Sequence, residues 1–247
     1  MTSISRSARE YVLVHGMSHG AFAWDLLRPH LERRGHRVVA VELPGHGRRA
    51  HERRRASVDS YGQAVADRMA LAGVSRAVLV GHSMGGLVIQ RAAELARDRI
   101  AHLVFLAAVV MPRGVRLIDS HLPPAVRAMF RGLASSGGGV VQYPAAIEYA
   151  RWFDDMAPGD PRVANALAQL TPQPVAPWTD RLDLSQFWAS HPPCTYIRCL
   201  RDAAVTPAAA GTYARRLGVE PVDMDTAHAP MLSAPAALTD ILEKIRI

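Results

Sequence analysis

Cysteine is scarce in this chain: Cys194 and Cys199 are the only two in 247 residues. Both fall in one expected strand, five positions apart, so their side chains face opposite sides and cannot readily bridge. That excludes a disulfide scaffold and favours a reducing, cytoplasmic setting. Long apolar runs are missing too. No stretch of about 18 apolar residues occurs, so no membrane-spanning helix and no membrane partner are expected. Residues 1–10 are polar, carry Arg6 and Arg9 and lack an apolar segment, so no secretory signal is expected. Gly-x-Gly-x-x-Gly and Walker-type patterns are absent, which leaves no sign of a phosphate cradle.

What is present suits one sizeable domain. Hydrophobic residues make up 49% of the chain, enough for a large core. Net charge is +7, from 29 basic and 22 acidic side chains. The densest basic cluster is Arg48-Arg49-Ala50-His51-Glu52-Arg53-Arg54-Arg55. No aromatic is interleaved with it and no nucleic-acid motif surrounds it, so it reads as a solvated loop and no nucleic-acid partner is expected. A homodimer is compatible with the sequence, which does not set the oligomeric state.

Short apolar runs alternate with helical patterns through the first part. Strands are expected over 11–14, 38–41, 77–80 and 103–110, and helices over 21–34, 58–72 and 87–97. Such alternation predicts an α/β fold: a mostly parallel sheet of about six strands with helices on both faces. The pattern breaks at 111–193, about a third of the chain. This stretch is rich in proline, carries Ser135-Ser136-Gly137-Gly138-Gly139, and holds three of the four Trp and three of the five Phe. It is expected to be an inserted helical lid over an apolar pocket, between core segments 1–110 and 194–247. Trp152, Phe153 and Trp178 are its pocket candidates, although each could instead anchor the lid to the core. The alternation resumes with strands over 195–200 and 221–224 and helices over 208–217 and 235–247.

The richest motif is Gly81-His82-Ser83-Met84-Gly85-Gly86, placed between an apolar strand and a helix. Gly-x-Ser-x-Gly in that context predicts a tight turn that strains Ser83 and exposes its hydroxyl at the strand's end. Gly81 and Gly85 are required because strand and helix backbones approach closely there. A serine hydroxyl is a poor nucleophile, so it needs a base and the base needs an orienting acid. Asp202 follows the strand over 195–200, and His228 lies between the last strand and the last helix, which is the chain order this arrangement uses. Asp223 and Asp225 are rival acids at the last strand. His82 adjoins Ser83 but leaves the turn in another direction and makes a poor base; with Gly16 it is instead a candidate for the substrate pocket.

Acyl transfer also needs donors for an oxyanion. The backbone N–H groups of Met84 and Met17 are the candidates, the latter in the glycine-rich loop His15-Gly16-Met17-Ser18-His19-Gly20. Gly16 would let that loop approach a substrate. His15 and His19 have a spacing that could suggest metal ligands, but the loop is not helical and no third ligand is apparent, so no metal is expected. His15 is expected to brace the loop, and Leu43-Pro44-Gly45-His46-Gly47 to form a structural turn.

Taken together these segments resemble the α/β-hydrolase superfamily, and within it the plant-type methylesterase and hydroxynitrile lyase group with its bacterial esterase relatives. His228-Ala229-Pro230-Met231-Leu232-Ser233 and the strand leading to Asp202 carry the likeness further. It is strong in the core and faint in the lid, apart from Leu170-Thr171-Pro172-Gln173-Pro174. The resemblance implies a serine esterase acting on a small apolar or aromatic carboxylic ester, without cofactor. It also implies a sheet that lacks the antiparallel first pair of strands. Lyases of the group have threonine where this chain has Gly16, glutamate where it has His82, and lysine where it has Ala229, so these positions match the esterase side. Ala227 departs from the aspartate usual there. The alternatives are a lyase, a slow-turnover ligand-binding receptor, or a thioesterase or lactonase sharing the same acyl chemistry.

Overall fold

The computed structural model describes residues 8–121, 124–135, 139–190 and 192–247. Strands β1 (Glu10–Val14), β2 (Arg37–Val41), β3 (Ala77–His82) and β4 (Ile100–Leu106) alternate with helices α1 (Arg28–Arg33), α2 (Val58–Leu71) and α3 (Gly85–Leu95). A cap follows, with α4 (Leu117–His121), α5 (Pro124–Ser135), β5 (Val140–Val141), α6 (Ala145–Trp152), α7 (Pro161–Gln169), β6 (Gln173–Pro174), α8 (Ala176–Thr179) and α9 (Ser185–Ser190). The chain then completes its core with β7 (Cys194–Cys199), α10 (Pro207–Leu217), β8 (Val222–Met224), α11 (Pro230–Ser233) and α12 (Pro235–Lys244).

The sheet order is β2-β1-β3-β4-β7-β8, with every neighbouring pair parallel. β5 and β6 form a separate antiparallel pair in the cap. Alternate strand residues enter different cores, as a two-residue period requires. Val12, Val14, Leu79 and Phe105 pack with α2, α3 and α10, whereas Tyr11, Leu13, Val80 and Leu106 pack with α1 and α12. All of β3 is buried, as expected of a parallel strand covered on both faces. Both cores continue into the cap, one through Phe130 and Phe187, the other through Trp152 and Phe153.

Two expected elements differ. The helix over 21–34 is instead a 3-10 turn at Ala21–Trp24 followed by α1, because Pro29 has no N–H to continue a helix and suits a first turn. The strand over 103–110 stops at Leu106, where Ala107 takes φ 46°. The residues beyond fasten neighbours: Ala108 accepts from the Tyr196 hydroxyl at 2.6 Å, and Val109 N–H donates to the Ser83 carbonyl at 3.0 Å. The arginine cluster forms 3-10 turns over Gly47–Arg55 rather than open loop, with Arg49 gripping Glu52 through Nε and a terminal nitrogen at 2.6 and 2.8 Å. Residues 1–7, in the segment read as lacking a secretory signal, and 136–138 of the glycine-rich loop lie outside the described residues.

Cys199 is buried and Cys194 half-buried, and both are free. Burial pushes their thiols up to about 12 and about 11. No described helix is long and apolar enough to cross a membrane.

Candidate active site

The chain leaves β1 for β2 on one side of the sheet and leaves β1's other neighbour, β3, for β4 on the opposite side. The crevice at such a reversal, at the strands' carboxyl ends, is where open α/β sheets bind ligands. The loops after β1 and β3 both open there. Ser83 follows β3 with φ 54°, a left-handed conformation that non-glycine residues rarely adopt. Its backbone is held by several bonds. Its N–H donates to Leu106 O at 3.1 Å, and its carbonyl accepts from Gly86 N and Val109 N, each at 3.0 Å. A Cβ on Gly81 would sit 2.5 Å from Gly85 O, so strand and helix can meet this closely only with glycine at that position.

The loop after β1 is fixed from three sides. His15 donates through Nδ1 to Gly16 O at 2.9 Å and accepts from Leu43 N at 3.2 Å, which ties the loop to the end of β2. His19 donates through Nδ1 to Met17 O at 2.7 Å. Ser18, at φ 60°, is clamped by the cap: its N–H donates to Gln173 Oε1 at 3.0 Å and its carbonyl accepts from Thr171 N at 2.9 Å. Gln173 Oε1 also accepts from His46 Nε2 at 2.9 Å. Among the described residues, the N–H groups of Met17 and Met84 are not taken by any hydrogen bond.

His228 and Asp202 come together from separate strand ends. His228 Nδ1 lies 2.7 Å from Asp202 Oδ2, and both side chains are buried. Asp202 Oδ1 accepts from Ala204 N at 2.7 Å and Val205 N at 2.8 Å, so the carboxylate is held at both oxygens. His82 Nε2 donates to the His228 carbonyl at 2.8 Å, and the two rings are 4.6 Å apart. Burial, reinforced by neighbouring histidines, holds His15 and His82 well below the usual imidazole value and brings His19 down to about 4.

Ser83, Met17 and Met84 line a cavity of about 350 Å³, at the low end for small-molecule sites. Its other walls are Val109, Leu117 and the 203–206 turn with Tyr213, roofed by Arg151, Trp152 and Trp178 from the cap. A larger hollow of about 600 Å³ runs along the β2 edge past Phe22 and Arg28, and none of Ser83, Asp202 and His228 lines it. Among the described residues, no cluster of three His, Cys, Asp or Glu side chains could hold a metal.

Known proteins agree with this architecture. The model of a family described as alpha/beta hydrolases matches residues 11–241. The chain belongs to the alpha/beta hydrolase family. Esterase PIR7B from Oryza sativa subsp. japonica is 38% identical over 138 residues, which cover 54% of this alpha/beta hydrolase and 49% of the rice protein. A carbendazim hydrolyzing esterase from a Nocardioides strain is 34% identical over 126 residues, 49% of this chain and 52% of its own. The matched stretches thus span about half the length of these curated relatives. An extracellular alpha/beta-hydrolase from a Paenibacillus species, described as sharing structural and functional homology with tobacco salicylic acid binding protein 2, superposes with a TM-score of 0.85. It is 25% identical, over 96% of this chain and 98% of that one.

Within this alpha/beta hydrolase, the residues expected at the site separate into groups. Ser83, Met17, Met84, Trp152 and Trp178 reach the cavity, and His228 and Asp202 pair with each other without lining it. Asp223 and Asp225 turn away to Arg198 and Arg201. Three pocket candidates do not line the cavity. Phe153 is fully buried in the second core, His82 is buried with its Nε2 spent on His228 O, and Gly16 backs directly onto Ser83. A Cβ on Gly16 would meet Ser83 Cβ at 2.8 Å, so the glycine admits the elbow rather than the substrate. Sequence reasoning missed Gln173 and Arg151, and also Asp155, whose Oδ2 accepts from Ala227 N at 2.8 Å beside His228. For Gln173 a signal existed: it lies in the one cap segment that resembles the family.

Proposed function

We propose that this chain is a serine hydrolase that cleaves a small apolar or aromatic carboxylic ester, methylesterase-like, through an acyl-enzyme. The observation that carries this reading is Ser83, held at φ 54° on the cavity wall, together with His228, which lies 2.7 Å from a doubly anchored Asp202 and whose ring is 4.6 Å from that of His82, the residue before the serine. Ser83 Oγ attacks the ester carbonyl while His228 takes its proton. Asp202 fixes the imidazole with Nδ1–H turned inward and stabilises the imidazolium as it forms. The free N–H groups of Met17 and Met84 receive the oxyanion. His228 returns the proton to the leaving alcohol, and water, activated by the same base, releases the acid.

The cap, 111–193, acts here as the lid that roofs the site, with 1–110 and 194–247 as the core. A cytoplasmic setting belongs to the same reading, supported by two cysteines left unpaired. No cofactor is assigned, and every group named comes from one copy of the chain, so a homodimer is not required. A lyase of the hydroxynitrile type is disfavoured. Ala229 offers no cation for a leaving cyanide, and the space a threonine would need at Gly16 is filled by Ser83.

The test is covalent labelling joined to turnover. A fluorophosphonate is expected to modify Ser83 and no other residue, and Ser83→Ala to lose p-nitrophenyl acetate hydrolysis by about six orders of magnitude in kcat. Hydrolysis that survives in Ser83→Ala, or a label found elsewhere, refutes the assignment.

A further inference from the structure

The cavity has one charged lining side chain, and it sits on the cap. Arg151, near the end of α6, lines the same space as Ser83. Its Nε is buried without a hydrogen-bond partner, and no carboxylate pairs with it among the described residues. Glu148, one turn earlier on α6, is also buried but forms no ion pair with it. The guanidinium lies over the Tyr143 ring at 5.8 Å, a contact that favours keeping the cation where it is. Trp178, a second roof residue, likewise has a buried indole N–H with no partner.

Both unpartnered groups are donors and neither can accept. Two buried donors on the roof select for an acceptor, and an arginine selects most strongly for a planar anion that it can grip through two parallel bonds. The opposite wall offers no cation. Met17 and Met84 leave only backbone N–H groups beside Ser83, and the Thr206 hydroxyl accepts from Ala209 N as the cap of α10. A ligand's second polar group therefore has its complement on the roof.

We propose that the substrate is a half-ester: an ester whose acyl chain carries a second, free carboxylate, bound by Arg151 with the Trp178 N–H beside it while the ester carbonyl meets Ser83. This deepens the hydrolase reading and rests on it. A site with buried donors discriminates strongly against analogues that leave those donors empty, so charge at the far end of the acyl chain should matter more than chain length.

The experiment compares p-nitrophenyl hydrogen glutarate with p-nitrophenyl hexanoate, a neutral ester of nearly the same length. In the unmodified protein kcat/KM is expected to favour the glutarate by about tenfold or more, and in Arg151→Met that ratio is expected to fall to about one, with Arg151→Lys between them. A ratio near one in the unmodified protein, or a preference that survives in Arg151→Met, overturns the proposal. Calorimetric binding of the same two esters to Ser83→Ala separates it from the parent reading. Tighter binding of the glutarate, lost in Ser83→Ala/Arg151→Met, upholds the anion site even if the unmodified protein hydrolyses neither ester. Equal binding of both esters removes the anion site even if hydrolysis is found. Should Arg151→Met fail to fold, the ratio in the unmodified protein and the Arg151→Lys variant decide.

Discussion

The floor and the roof of the cavity are built on opposite terms. On the floor most polar groups have a fixed partner. Asp202 is held by two N–H groups and His228, His228 is steadied through its carbonyl by His82, and the strained Ser83 backbone makes three bonds. On the roof, Arg151 Nε and Trp178 Nε1 are buried with nothing to bind. Groups that act on every substrate are best held rigidly before it arrives, because misplacement by about 1 Å can cost on the order of 10²-fold in rate. Groups that choose among substrates stay open until the right one fills them. On the proposed reading, chemistry resides in the sheet and selectivity in the insertion.

The sharpest way to break this contrast is at the floor's buried pair. Asp202→Asn is expected to lower kcat by about four orders of magnitude, since the amide would hold the imidazole in the wrong tautomer. Asp223→Asn, which only releases Arg198 at the surface, is expected to change kcat less than about twofold. Steady-state kinetics on p-nitrophenyl acetate would reverse the assignment if the two variants exchanged effects.

Gln173 belongs to the cap yet serves the floor, so it tests how clean the division is. Gln173→Ala would release both the Ser18 N–H and His46 Nε2. The Met17 N–H would then lose its fixed aim, and kcat is expected to fall by about 10–100-fold with KM little changed. A rise in KM at constant kcat would make Gln173 a residue of the roof instead.

Acid sharpens the comparison further, because the buried histidines crowd the floor. His19 binds a proton at about pH 4 when folded and near 6.5 when unfolded. The unfolded state therefore binds more protons between those values. The stability contributed by neutral His19 is complete above about pH 6.5 and is lost as pH falls, at about 1.4 kcal/mol per pH unit and reaching about 3 kcal/mol near pH 4. Melting temperatures measured from pH 8 down to pH 5 should drop below about pH 6.5, and less steeply in His19→Phe. An equal slope in that variant would place the acid sensitivity elsewhere.

The floor was legible in the sequence, and of the roof its two tryptophans but not Arg151, for a physical reason. Gly81-His82-Ser83-Met84-Gly85-Gly86 is a local device: strand, elbow and helix are contiguous, so the residues that make the turn also announce it. Asp202 and His228 are distant in sequence, but each sits at the end of a strand whose apolar run is visible, and the sheet does the rest. Arg151 and Gln173 act across the cap. The bond from Gln173 to Ser18 spans 155 positions, and no periodicity encodes which polar side chain will arrive there. The same limit explains Phe153. Aromatic content marks a lid, but two adjacent helix-end residues point in different directions, so Trp152 reaches the cavity and Phe153 the core. The split of 21–34 into two pieces follows from Pro29, against an apolar spacing that continues across it.

The two thiols on β7 bear on how cap movement could be watched. Each stays protonated at neutral pH and sits on a rigid strand, so neither competes for a maleimide at ordinary labelling pH. One cysteine introduced on the outer face of α7 would then be the fast-reacting thiol of the described chain, and a fluorophore there would report whether the cap moves when a ligand binds, without first stripping the native sulfhydryls.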